Sequence, residues 1–168
     1  RGTQWQSAPG KNFTGTFVVY PQMRPQDFYL LQKATAVAVL DTIKTILPRK
    51  KVEIKWPNDI YVEGQKIGGI LLESQLRKDH FEYVLLGIGI NVNQVDFEGV
   101  DNATSVVNQL GKEVAIDELE TLLQKNITRY MRPVNTQKID AVYTDKLYGR
   151  NRKMRFQLPD GSDFLGII

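Results

Sequence analysis

The sequence predicts an α+β fold, one long buried helix beside a mainly antiparallel sheet, with the start of a small second β unit behind it. Three observations predict it. Residues 28–47 have a helical pattern whose middle carries no polar stripe. Four short β segments follow, joined by connections too short for the dozen or more residues of a parallel crossover. The last residues read as a hairpin that has changed character from everything before it.

Taken in order, the stretch up to Asn12 is polar and punctuated by glycine and proline, which reads as a loop. From Phe13 to Tyr20 the residues alternate, with Phe13, Phe17 and Val19 on one face and Thr14, Thr16 and Val18 on the other, a strand. Pro21 and Pro25 end it, and Asp27 is expected to cap a helix from Phe28 to Leu47 that Pro48 stops. Ala34 to Leu40 is apolar nearly all round, so this helix is expected inside the molecule. Val52, Ile54 and Trp56 share one face of the first β segment, which places Trp56 in the core. Ile60 to Val62, Lys66 to Glu73 and Phe81 to Ile90 are the next three, with Glu63-Gly64-Gln65 as a turn. Asp117 is expected to cap a helix through Tyr130, with Leu119, Leu122, Leu123 and Ile127 at core spacing, and a further helix runs from Lys138 to Leu147. Residues 1–149 therefore read as one domain. Residues 150–168, with Lys153–Leu158 and Phe164–Ile168 around Pro159-Asp160-Gly161, read as the incomplete start of another.

Composition narrows the chemistry. A chain of 168 residues with 42% apolar and 24% charged residues is globular rather than disordered. It can bury roughly 70% of its unfolded surface without a staple. The absence of cysteine excludes disulfides, a thiolate nucleophile and Cys-ligated metals, and a single histidine, His80, leaves no multi-histidine site. No run approaches the ~20 apolar residues of a membrane span and no signal peptide opens the chain, so a cytoplasmic protein is expected and three Asn-x-Thr sequons carry no meaning. A charge of +3, with 22 basic against 19 acidic residues, is too even for a nucleic-acid binder. The chain opens on Arg1 and stops at Ile168 just after a turn signal, so it reads as a piece of a longer protein.

Three clusters stand out. Lys55-Trp56-Pro57-Asn58-Asp59 is a strand running into a proline-led turn that carries an amide and a carboxylate. Lys66-Ile67-Gly68-Gly69-Ile70-Leu71 places adjacent glycines inside a strand, which marks a bulge or a close ligand approach. Strict period-two geometry puts Lys66 and Gly68 on one face. Gly87-Ile88-Gly89-Ile90-Asn91-Val92-Asn93 alternates glycine along the neighbouring strand. The bare faces of the two strands should form one trough, suited to a ligand with an apolar body and an anionic part. Neither a Walker loop nor Gly-x-Gly-x-x-Gly is present.

These three motifs, in this order and spacing, resemble biotin protein ligase. Trp5-Gln6-Ser7, with Gly10 and Asn12 before an apolar strand, is similar to the family segment that follows its Gly/Arg-rich ligand loop; that Gly-Arg-Gly loop would lie before Arg1. Thr3 stands where many members carry arginine. The resemblance implies a catalytic domain of the class II aminoacyl-tRNA synthetase-like, biotin/lipoate ligase type over 1–149, and the start of an SH3-like β-barrel domain over 150–168. It implies two half-reactions: ATP activates biotin to biotinyl-5′-AMP, and a lysine of a biotin carboxyl carrier protein then takes the biotin.

On that resemblance Lys66 is the catalytic cation between carboxylate and α-phosphate, with Asp59 drawing Mg²⁺ or orienting the acceptor lysine. Biotin would contact Lys66, Gly68, Gly69, Ile70, Gly87 and Ile88. ATP would contact Trp5, whose indole packs on adenine, with Asn58 and Asn91. Lys55 is either a ligand neighbour or the solvent-facing partner of Glu53. Strand-edge homodimers occur in the family, though no segment here demands one. The competing readings are a lipoate–protein ligase, the ligand-sensing part of a biotin-responsive repressor with a helix-turn-helix upstream, and a scaffold whose glycines are only bulges.

Overall fold

A computed structural model describes residues 7–100, 102–131, 136–158 and 160–168. Five strands, β1 (Phe13–Val19), β2 (Val52–Lys55), β3 (Asp59–Val62), β4 (Gln65–Arg77) and β5 (His80–Ile90), form one sheet in the order β1-β5-β4-β3-β2. Every pairing is antiparallel. Segments β2 to β5 make the expected meander. The short reversals explain it: β3 and β4 are joined by Glu63-Gly64, both at positive φ, a two-residue turn whose twist matches the strands and for which glycine is the low-cost residue. Strand β1 lies beside β5 at one margin. At the other margin, Ile54 N–H donates to Lys146 O (2.8 Å) and Tyr148 N–H to Ile54 O (2.8 Å), so the chain after the last helix covers the β2 edge.

Helix α1 (Phe28–Ile46) crosses one face of the sheet. Ala36, Val37, Ala38, Val39, Leu40 and Ile43 are buried and form one core cluster with Ile54, Ile60, Ile70, Ile88 and Ile90 of the sheet. Helices α3 (Ile116–Met131) and α4 (Thr136–Asp145) pack on α1. Two polar contacts fix α1 to α3: Asn126 Nδ2 donates to Thr42 Oγ1 (2.9 Å, buried) and Tyr130 OH to Asp41 Oδ2 (2.6 Å). A short helix, α2 (Val106–Leu110), is capped by Ser105 Oγ at its start and by Gly111 in the left-handed conformation at its end. Strands β6 (Lys153–Gln157) and β7 (Asp163–Ile167) form a separate two-stranded sheet, as the hairpin pattern predicts.

Four expectations are corrected. Trp56 is not in the core: β2 ends at Lys55, a cis Trp56–Pro57 peptide follows, and the indole is 61% exposed with its N–H donating to Tyr29 OH (3.0 Å). Asp27 makes no side-chain cap, because a 3₁₀ turn over Pro25–Asp27 leads directly into α1 and its carboxylate takes Arg24. Asp117 lies inside the first turn of α3 rather than before it. The fourth correction matters most for function. The β3/β4 register runs Ile60↔Gly68 and then Tyr61↔Lys66, so Ile67 is an extra, fully buried residue. A bulge resets the alternation. Gly68 therefore faces the core, and Lys66 shares the opposite face with Gly69.

Candidate functional site: a glycine trough on the open face of the sheet

The face of the sheet turned away from α1 is built by alternation. Residues directly paired across strands share a face, so the register gives a row of five: Thr14 on β1, Gly89 on β5, Gly69 on β4, Asp59 on β3 and Lys55 on β2. The next row is Thr16, Gly87 and Leu71. Three glycines thus leave the middle of this face without side chains. Two threonines border it on β1, and Asp59, Lys55 and Lys66 stand at its β2–β4 side. Lys66 Nζ and Asp59 Oδ1 are 2.7 Å apart, with the two side chains only 35% and 24% exposed. A half-sheltered ion pair at the end of an apolar, side-chain-free floor is an arrangement that can hold a small molecule and meet its anionic end.

The adjacent glycines of β4 have different reasons to be glycine. A Cβ at Gly68 would lie 2.9 Å from the Gly89 carbonyl oxygen, a clash with backbone, so Gly68 is required by packing. Gly69 projects toward the opposite face, where it is half-buried beside the buried Gly89. At Gly87 a Cβ would meet Leu71 O at 3.3 Å, close but not excluded. Ile70 and Ile88, predicted to touch the ligand, are 3% and 2% exposed and their side chains belong to the core under α1. Only their main chains reach the trough.

The polar motif residues are first of all pins. Asn58 Nδ2 donates to Ile70 O (2.7 Å) and Ile70 N–H to Asn58 O (2.9 Å), which fixes the turn that presents Asp59. From α1, Gln32 Nε2 donates to Pro57 O (2.9 Å) and holds the same turn. Asn91 is buried; its amide donates to Thr104 O (3.0 Å), and its main chain bonds Ile67 and Val106. Asn93 exchanges two hydrogen bonds with Val114 (2.8 and 3.0 Å). Asparagine suits these places because one side chain offers donor and acceptor to irregular backbone. Trp5 lies outside the described residues.

Sequence reasoning missed what surrounds Lys55. Glu53 is not its partner: that buried carboxylate pairs with Lys51 (2.7 Å). Lys55 Nζ instead donates to Tyr61 OH (3.0 Å) and lies 5.0 Å from that ring's centre. The Lys55 ammonium is held above the ordinary lysine value, chiefly by this hydrogen bond, with Asp59 and Tyr148 adding to it against the opposing effect of burial. Tyr61 is in turn packed against Tyr148 (5.2 Å), over which the Arg152 guanidinium sits at 5.8 Å. Thr14 and Thr16 were readable as one strand face, but only the β1–β5 pairing shows that they border the glycines.

Comparison with known proteins agrees with this architecture. The model of the biotin/lipoate A/B protein ligase family matches residues 1–91, which include the Asp59 turn, both glycine strands and Lys66. The bifunctional ligase/repressor BirA of Bacillus spizizenii is 35% identical over 135 residues, covering 76% of this chain and 41% of its own length. The biotin–[acetyl-CoA-carboxylase] ligase of Paracoccus denitrificans is 33% identical over 142 residues, 81% of this chain and 59% of the relative. The chain thus spans about half the length of these curated relatives. In fold it is similar to the biotin protein ligase of Aquifex aeolicus, with TM-score 0.76 and 22% identity over 94% of this chain and 69% of the other. The Leishmania major enzyme in complex with biotin gives 0.70 and 18% over 100% and 84%. The family model covers more than half of the sequence, the relatives and the fold agree with it, and the chain belongs to the biotin/lipoate A/B protein ligase family.

Proposed function

We propose that this chain forms the biotin- and nucleotide-binding part of a biotin protein ligase. The single observation that carries the reading is the Lys66–Asp59 pair at the end of the trough floored by Gly69, Gly87 and Gly89. The curated relatives above carry biotin names, which favours biotin over lipoate as the acid.

In the first half-reaction a biotin carboxylate oxygen forms a bond to the α-phosphorus of ATP. The bond from that phosphorus to its bridging oxygen breaks, and the electron pair leaves with pyrophosphate. The protein's task is to position two anions and offset their repulsion. Lys66, bridging them, supplies a fixed cation at the point where charge develops. Asp59 keeps the ammonium aimed before substrate arrives. The glycine floor lets the apolar body of biotin lie against the sheet, and main-chain groups of Gly69, Ile70, Gly87 and Ile88 line it. Asn58 and Asn91 shape the ends where the nucleotide enters. In the second half-reaction Asp59 orients the acceptor lysine, whose ammonium gives up a proton to solvent. The free amine then attacks the acyl carbon, AMP leaves with the electron pair of the broken acyl–oxygen bond, and the new amide nitrogen releases its extra proton to water.

Among the described residues no group of three or more His, Asp or Glu side chains could hold a metal ion. Asp59 is already neutralised by Lys66, so in this reading Mg²⁺ arrives on the phosphates as part of Mg–ATP. The acceptor is a biotin carboxyl carrier domain, and no helix among the described residues is long and apolar enough to cross a membrane.

The test is to incubate the intact protein with biotin, Mg–ATP and a carrier domain and to weigh the carrier. The expected result is the mass gain of one biotin, dependent on ATP. A carrier that keeps its mass with biotin and gains it with lipoate overturns the reading.

A further inference from the structure

Lys55 and Lys66 converge on β3 from opposite sides. Lys66 reaches from β4 to Asp59, and Lys55 reaches from β2 to Tyr61. Asp59 and Tyr61 are two apart on one strand face, about 7 Å from Cα to Cα, so two ammonium groups stand over neighbouring points of the same surface. Their electrostatic situations differ. The carboxylates of this part of the face are taken: Glu53 by Lys51, Asp59 by Lys66. The bonded partner of Lys55 is the Tyr61 hydroxyl, and Asp59, ion-paired to Lys66, is its cross-strand neighbour rather than its bonded partner. Tyr61 is itself immobilised, being buried and packed on Tyr148, so the perch is rigid. A lysine placed only for solubility does not need a buried tyrosine beneath it.

The two positions match the two ends of one displacement. Biotin over the glycines brings its carboxylate to Lys66, and the reacting α-phosphate must lie there. The leaving group departs roughly opposite the attacking oxygen. With the attack coming from the β4–β5 side of Lys66, the departing phosphates point toward β2, where Lys55 waits. We propose that Lys55 is the binding residue for the pyrophosphate leaving group, receiving the β- and γ-phosphates of ATP while Lys66 serves the α-phosphate. This rests on the adenylation reading above. As the bond from α-phosphorus to bridging oxygen breaks, charge accumulates on pyrophosphate, and a fixed ammonium there stabilises it.

The experiment uses the intact protein with Lys55→Gln, Lys55→Arg and Tyr61→Phe. It measures biotin-dependent ATP–pyrophosphate exchange, calorimetric binding of biotin, of AMP and of magnesium pyrophosphate, and thermal melting. For Lys55→Gln we expect KM for ATP and Kd for pyrophosphate to rise about 10-fold or more, the loss of one charge-assisted contact. Biotin and AMP affinities should stay within about twofold. Lys55→Arg should recover most of the loss. Tyr61→Phe should show a smaller rise of the same kind, because it frees the ammonium without removing it. Unchanged ATP and pyrophosphate affinities in Lys55→Gln overturn the proposal, and so does an equal loss of AMP affinity, which would place Lys55 at the nucleoside end. Failure of the adenylation reading looks different: the unaltered protein shows no biotin-dependent exchange at all, while pyrophosphate calorimetry still reports directly on Lys55.

Discussion

Gly68 and Gly69 are neighbours in one strand and glycine for opposite reasons. Gly68 looks into the face filled by Ile60, Ile70, Ile88 and Ile90 under α1, where a methyl group would strike the backbone of β5 at 2.9 Å. Gly69 looks onto the other face, in line with Gly89 and Asp59. The same sheet thus separates stability from chemistry by alternation alone: one side is packed to exclusion, the other is left without side chains beside an ion pair. Substitutions one position apart should therefore report on different properties.

The largest effect is expected on the open side. Lys66→Ala removes the one cation placed to bridge carboxylate and phosphate, and should lower biotin-dependent pyrophosphate release by about 10²–10³-fold. Its melting temperature should stay close to that of the unaltered protein, since the lost partner, Asp59, can turn to water. Near-normal release would break the assignment of roles to the two faces.

On the packed side, Ile88→Ala leaves a hole in a core with no slack and should cost about 2–4 kcal/mol in denaturant unfolding. Variant molecules that remain folded should still bind biotin. Gly68→Ala should cost about 1–3 kcal/mol, because its clash is with a carbonyl of the neighbouring strand rather than with a side chain that can swing away. A Gly68→Ala protein as stable as its parent would sharpen the comparison against us, since it would mean that the bulge at Ile67 yields.

The smallest effect lies away from both faces, at the α1–α3 contact. Burial and the hydrogen bond to Asp41 push the Tyr130 hydroxyl up to about 12. Its folded value exceeds the ordinary tyrosine value of 10.0, so folding favours the protonated phenol. That contribution is complete below pH 10 and is lost as pH climbs through about 12. Tyr130→Phe should cost about 1 kcal/mol at neutral pH, and the gap in stability between the two proteins should close over that alkaline range. Stability curves at pH 8 and pH 11 measure it.

Much of this was legible in the sequence, and the exceptions share a cause. Period-two patterning marked the strands, and short connections gave the antiparallel meander of β2 to β5, while the place of β1 beside β5 was not legible. The apolar middle of α1 announced its burial. The motif residues converge because they lie on adjoining strands of a meander. What alternation could not reveal was its own interruption: nothing in Lys66-Ile67-Gly68 says that Ile67 is inserted, and without the bulge the wrong glycine shares a face with the lysine. Trp56 was misjudged for a related reason, since the strand ends one residue before it and the period no longer applies. That the amides of Asn58 and Asn91 also pin main chain was not legible, because the carbonyls they bond lie close only in three dimensions. The pairing of Lys55 with Tyr61 rather than Glu53 depends on Lys51 having taken the carboxylate, a choice among neighbours that spacing does not decide.

The division of the sheet is tested most directly by measuring biotin affinity calorimetrically, together with thermal melting, for the pair Gly69→Val and Ile70→Val in the intact protein. Gly69→Val should weaken biotin binding about 10-fold or more, with melting shifted by no more than a few degrees. Ile70→Val should keep the affinity while losing about 0.5–1.5 kcal/mol of stability. Full biotin affinity in Gly69→Val, or loss of affinity in a well-folded Ile70→Val, would contradict that division.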